Sequence, residues 1–209
     1  FVYLYGSNLF NGGALVADLT DPWNPVYAGN YQNSVSPYVH DGYVRNDTLY
    51  SGHIYDGFFS IVDVSDKANP LLIGTKTTPN SFTHNVWPSA NGQVVYTTDE
   101  ISGAYIAAYN ITDGQNITEL DRVQSTQNSF VIPHNVHVRG EYLITSYYSD
   151  GIIVHDATYP YNLVQVGNFD TYVGQTPGFD GCWGVYPFFP SGKAVAADIT
   201  KGLFIVDIH

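Results

Sequence analysis

The sequence predicts an all-β fold, a β-propeller of four-stranded antiparallel blades, and three observations carry that reading. A pattern recurs about every 46 residues, each period holds four strand-like runs separated by turn residues, and no stretch shows helical periodicity. The recurring pattern is plain in GALVADLTDPWNPVYAG (13–29), GFFSIVDVSDKANPLLIG (57–74), GIIVHDATYPYNLVQVG (151–167) and GLFIVDIH (202–209), with GAYIAAYNITDGQNITELDRV (103–123) as a divergent fifth copy. Its polar anchors Asp18, Asp63, Asn110, Asp156 and Asp207 fall 45, 47, 46 and 51 residues apart, and Asp18, Asp63 and Asp156 each precede a glycine (Gly29, Gly74, Gly167) by 11.

The second copy shows the four strands in order. YVHDGYV alternates and ends at the turn cluster Arg45-Asn46-Asp47; TLYSGHI follows and ends at Tyr55-Asp56-Gly57, where glycine accepts the positive φ of a tight hairpin. FFSIVDV is apolar and β-branched and closes at Ser65-Asp66-Lys67, with Pro70 beyond; LLIGTKT is the fourth run. The copies divide the chain into one propeller domain over 1–209. It holds a partial first blade (1–34), blades over about 35–80, 81–130 and 131–178, and a partial last blade (179–209). The first copy lacks its innermost strand and the last its outermost, so the chain reads as a segment of a ring of roughly six to eight blades within a longer protein.

Composition bounds the partners. With 7 Lys+Arg against 19 Asp+Glu the net charge is −12, which repels nucleic acid and anionic membrane surfaces. No apolar run is long enough to insert into a bilayer. The single cysteine, Cys182, has no partner for an intramolecular disulfide and suits packing beside Trp183. Hydrophobic residues at 44% and 18 tyrosines fit a folded, β-rich chain.

The stretch IVDVSDKANPLLIG (61–74) resembles the LVIVD repeat. HNVHVRGEYLITSYYSDGIIVHDA (134–157) and GFDGCWGVYPFFPSGKAVAADITKGLFIVDI (178–208) are similar to the closing blades of the choice-of-anchor B family. The resemblance covers essentially the whole chain and is most specific in its last third. It implies a secreted or cell-surface bacterial β-propeller and implies no reaction.

Two series of residues carry the candidate chemistry. His40, His84 and His134 begin the innermost strand of their blades, in VHDGYV, THNVWP and PHNVHV, and Trp183 takes that place in the last blade. His53, Asp99, Tyr147 and Asp198 stand four residues before the hairpin glycines. Start of the first strand and end of the second lie at one end of a hairpin, so both series are expected at the mouth of the central channel, with His84 facing Asp99. Imidazoles and carboxylates converging there suit a divalent metal ion, held by His40, His84 and His134, or a polar ligand touching all eight residues. A repeated His-Asn or His-Asp suits a hydrogen bond that latches neighbouring blades, and its repetition from blade to blade favours the latch, because a metal site usually uses its ligands once. Glu100, beside Asp99, points to the other face and does not join it as an acid–base pair. His137 and His155 read as ordinary sheet residues. No catalytic constellation is present, and the chain is expected to act as an extracellular scaffold that offers its channel face to a protein or glycan. The alternative is a metal-dependent hydrolase or lyase that uses the histidines with Asp99 and Asp198.

Overall fold

The structure, a computed structural model, describes residues 1–174 and 177–208. Among these residues the strands form five antiparallel sheets in chain order. The first holds β1 (Val2–Leu4), β2 (Ala14–Asp18) and β3 (Val26–Tyr31). The second holds β4 (Asp41–Arg45), β5 (Thr48–His53), β6 (Phe58–Asp63) and β7 (Leu71–Thr77); the third, β8 (Thr83–Pro88), β9 (Val94–Asp99), β10 (Ile106–Asn110) and β11 (Thr118–Val123). The fourth holds β12 (Val136–Arg139), β13 (Tyr142–Ser146), β14 (Ile152–Asp156) and β15 (Val164–Phe169), and the fifth β16 (Cys182–Tyr186), β17 (Lys193–Asp198) and β18 (Gly202–Asp207). Each sheet is an up-and-down meander, the blade of a β-propeller. The inner strand β8 lies against β4 on one side and β12 on the other, and β16 lies against β13.

The anchors of the repeat close the third strand of each blade. Asp18, Asp63, Asn110 and Asp156 each accept a hydrogen bond from the backbone N–H two residues on, at 2.7–3.0 Å, which starts the turn into the fourth strand. The glycine 11 residues later has a different cause. At Gly74 an added Cβ would stand 1.8 Å from the carbonyl oxygen of Gly114, and at Gly29 it would stand 1.7 Å from that of Lys67. Both oxygens belong to the turn between the third and fourth strands of the following blade. Glycine is required where that turn seats on the outer strand of the preceding blade. The same glycines face bulges, at Val16/Ala17, Ile61/Val62 and Val154/His155.

The core is divided among the seams between blades rather than gathered at one centre. Ala14, Tyr31, Val39, Leu49 and Val62 fill the first seam. Tyr50, Phe59, Ile61, Val95 and Tyr109 fill the second. Leu49 and Tyr50, or Ile61 and Val62, are neighbours in sequence and serve opposite seams, as the two-residue period of a strand demands. Tyr96, Ile106, Leu143, Tyr147 and Ile153 fill the third seam, and Ile144, Ile152, Cys182 and Val185 the fourth. Burying a side chain such as Phe59 contributes about 1.5–3 kcal/mol, so each middle blade is held mainly by its two neighbours.

Candidate functional site

Four inner strands bring one residue each to the same end of the channel. In the third blade Thr83 pairs with Asp99 and Asn85 with Thr98, so His84 is the extra residue of a bulge. The fifth blade repeats this: Cys182 pairs with Asp198 and Gly184 with Ala197, leaving Trp183 as the extra residue. The bulge turns both side chains out of their ladders and across the channel. The rings of His40 and His84 lie 4.5 Å apart, those of His84 and His134 4.2 Å, and those of His134 and Trp183 5.5 Å. The first series therefore forms one ribbon of touching rings.

Glu100, just past the end of β9, completes the site and was assigned no part in it from sequence. Its Oε2 lies 3.7 Å from Nε2 of His84 and its Oε1 lies 3.5 Å from Nε2 of His134. The hydroxyl of Tyr148 donates to Oε1 at 2.5 Å. His134 donates from Nδ1 to the carbonyl oxygen of Trp183, which fixes its tautomer and leaves Nε2 as a lone pair toward the carboxylate. Burial holds His84 well below the usual imidazole range, helped by His134 and His40, and lowers His134 to about 4. Both are neutral at pH 7. Burial raises the Glu100 carboxyl, against the hydrogen bond from Tyr148 and the charge of His40.

The second series does not reach the channel, and the expected facing of His84 and Asp99 is corrected. Asp99 is fully buried and accepts hydrogen bonds from the Thr78 hydroxyl at 2.5 Å, the Asn80 N–H at 2.7 Å and the Phe82 N–H at 3.2 Å. Its carboxylate thus ties the connection entering β8 to the end of β9. Because Thr83 is its partner in the ladder, the bulged His84 points elsewhere. Asp198 does the equivalent work, accepting from Thr171, Thr200 and Lys201. His53 meets the Tyr38 carbonyl at 2.9 Å and the Ser60 hydroxyl at 2.6 Å, so both ring nitrogens are used inside its own blade. Tyr147 is fully buried in the third seam.

Deeper in the channel the blades are joined by other groups. Asn85 donates to Asp41 at 2.7 Å and accepts from the Val136 N–H at 3.0 Å, linking three successive blades. Beyond it Tyr43, Trp87 and Phe188 stack, with Tyr43 and Trp87 3.9 Å apart, and His137 meets Trp87 at a tilt, 4.8 Å away, and Phe188 edge-on. His137 is thus a channel residue three positions beyond His134, and only His155, fully buried in β14, stays an ordinary sheet residue. Cys182 packs in the fourth seam, where burial pushes its thiol up to about 12.

No protein-family model matches the chain, and no curated protein does. Solved structures do. The periplasmic gluconolactonase of Pseudomonas aeruginosa is 13% identical with a TM-score of 0.72, over 95% of this chain and 60% of that one. A protein from Bacteroides uniformis described as a putative 6-phosphogluconolactonase is 10% identical with a TM-score of 0.73, over 98% and 63%. The β-propeller domain of Swd1 from Myceliophteria thermophila is 13% identical with a TM-score of 0.67, over 96% and 65%. The chain spans somewhat more than six tenths of the last two of these structures and 60% of the first. At these identities the likeness shows the fold alone, and that fold is the β-propeller.

Proposed function

We propose that the chain is an extracellular or cell-surface β-propeller module that offers its channel mouth to a protein or glycan partner. One observation carries the reading. An unbroken path of seven rings crosses the mouth, Tyr55–Tyr38–His40–His84–His134–Tyr148–Phe179, with successive centroids 5.3, 6.1, 4.5, 4.2, 5.2 and 5.3 Å apart. Its two ends, Tyr55 and Phe179, are exposed, as are Val35 and Phe130 on the connections entering the inner strands beside it. Exposed apolar groups around a polar floor are the anatomy of a recognition surface, with aromatic anchors and a few oriented hydrogen-bonding groups. The outside location rests on the resemblance to the LVIVD repeat and the choice-of-anchor B family. The similarity to a periplasmic gluconolactonase agrees with it, and no helix among the described residues is long and apolar enough to cross a membrane.

The test is a binding screen of the purified protein against surface glycans and matrix proteins, beside the variant Tyr55→Ser/Phe179→Ser. Binding by the parent that the variant loses at unchanged melting temperature supports the reading. Equal binding by both, or none by either, overturns it.

A second reading, hydrolysis at the same mouth, is favoured by the cluster of Glu100 with neutral imidazoles and by the lactonases among the similar folds. The pairing expected with Asp99 and Asp198 gives it no support, because both carboxylates are consumed by strand-end hydrogen bonds. Turnover of glucono-δ-lactone that disappears in Glu100→Gln is its readout.

A further inference from the structure

We propose that His40, His84 and Glu100 hold one divalent transition-metal ion at the channel mouth, with His134 as the fourth donor and zinc as the ion the donor set suits. One ligand atom from each of His40, His84 and Glu100 lies within 4.8 Å of the other two. Four donors around zinc at about 2.0–2.2 Å stand roughly 3.4 Å from one another, and the two imidazole-to-carboxylate separations, 3.7 and 3.5 Å, are already close to that. His134, which stands outside that three-residue group, has to turn toward it to bind.

These side chains offer an ion the nitrogens and the carboxylate that hydrogen bonds between the blades leave free. His84 is 5% exposed, yet its Nδ1 has no hydrogen-bond partner and its Nε2 is too far from Glu100 for a good one. A structural histidine would use those nitrogens, as His53 does. His134 is oriented from behind, donating from Nδ1 to a backbone carbonyl and presenting Nε2 forward, which is the outer-shell arrangement that fixes a metal-ligating imidazole. His40 has the same kind of support, its Nδ1 lying 3.2 Å from the Tyr38 hydroxyl. Tyr148 holds Glu100 from the side. Two or three imidazoles with one carboxylate is a zinc-type set, whereas calcium and magnesium take oxygen ligands. The proposal stands on this donor geometry and is independent of what the rim of the mouth recognises.

The experiment is a titration of the chelator-stripped protein with zinc alone, followed by calorimetry, and with cobalt as a coloured substitute. The expected result is one equivalent bound, a visible cobalt spectrum of tetrahedral type, and a melting temperature that rises with zinc. Glu100→Gln and His40→Gln each weaken zinc by at least about tenfold, while Asp113→Asn, in an exposed turn, changes nothing. Melting curves without metal confirm that the two site variants fold, both residues being only partly buried. Absence of stoichiometric zinc in the parent overturns the site. So does an affinity that Asp113→Asn lowers as much as Glu100→Gln does, since it places the ion on the acidic surface.

Discussion

His84 and Asp99 stand on neighbouring strands of one blade, at the same end of the same hairpin, and do opposite jobs. His84 leaves its ladder through a bulge and meets side chains of the blades on either side; Asp99 stays in the ladder and satisfies donors of the connection that enters its blade. The contrast extends to the two series to which they belong. His40, His84, His134 and Trp183 touch one another across the channel, whereas His53, Asp99 and Asp198 close strand ends and Tyr147 fills a seam. Position at the inner end of a hairpin is thus not membership of a site. What separates Asp99 from His84 is whether hydrogen-bonding capacity is already used: Asp99 has three donors on its carboxylate, while Nδ1 of His84 has no partner.

The sharpest way to break the contrast is to remove Asp99. Asp99→Ala leaves two backbone N–H groups unpaired in a buried connection and takes one of three partners from the Thr78 hydroxyl, and is expected to cost about 3–5 kcal/mol of unfolding free energy. Urea denaturation measures it. A loss under about 1 kcal/mol would mean that the connection between β7 and β8 is held by other contacts and that Asp99 is available for chemistry after all.

The next effect is on pH dependence, through His53. Burial lowers its pKa from 6.5 to about 4, against the raising effects of the Tyr38 carbonyl and Asp56. A histidine whose folded value is depressed stabilises the fold above its unfolded value and loses that contribution as the pH falls, because the unfolded chain takes up the proton first. The window runs from about 6.5 down to about 4. At pH 5 this one group withdraws about 2 kcal/mol relative to pH 7.5. His53→Gln removes the titration, so the cost of that substitution should shrink by about that amount between pH 7.5 and pH 5. An unchanged cost across the window would show that His53 titrates normally and is not locked in its blade.

These tests also mark where the sequence was readable. The blades were, because Asp18, Asp63, Asn110 and Asp156 start the same turn in every copy and Gly29 and Gly74 answer the same steric demand, so one physical cause recurs at a fixed interval. The histidine ribbon was readable for the same reason. The role of the second series was not, since aspartate and histidine serve equally as ligands and as strand-end acceptors, and spacing does not say which way a strand-end side chain turns. Glu100 was passed over because it was weighed only as a partner of Asp99, from which an extended strand turns it away; the positions that match it in the other blades are Ile54, Tyr148 and Ile199. The one available signal was that Glu100 and Tyr148, polar in two consecutive blades, occupy the same place in the repeat, and they are hydrogen-bonded across the seam.

The smallest expected effect on stability tests the first series at its exposed end. Trp183 occupies the bulge position that His84 holds two blades earlier, but its side chain is 54% exposed and its contribution to the blade is its carbonyl oxygen, which accepts from His134 and from the Ser146 hydroxyl. Trp183→Ala keeps that carbonyl and removes only the ring, so it should cost at most about 1 kcal/mol. The same change should weaken whatever partner the binding screen finds, because it strips an aromatic surface from the mouth while leaving Glu100 and the three imidazoles in place. Thermal melts and the partner titration, run on one preparation, separate the two quantities. A large loss of melting temperature with unchanged partner affinity would place Trp183 with Asp99 among the residues that hold the blades, and the line between the two series would then have to be drawn at His134.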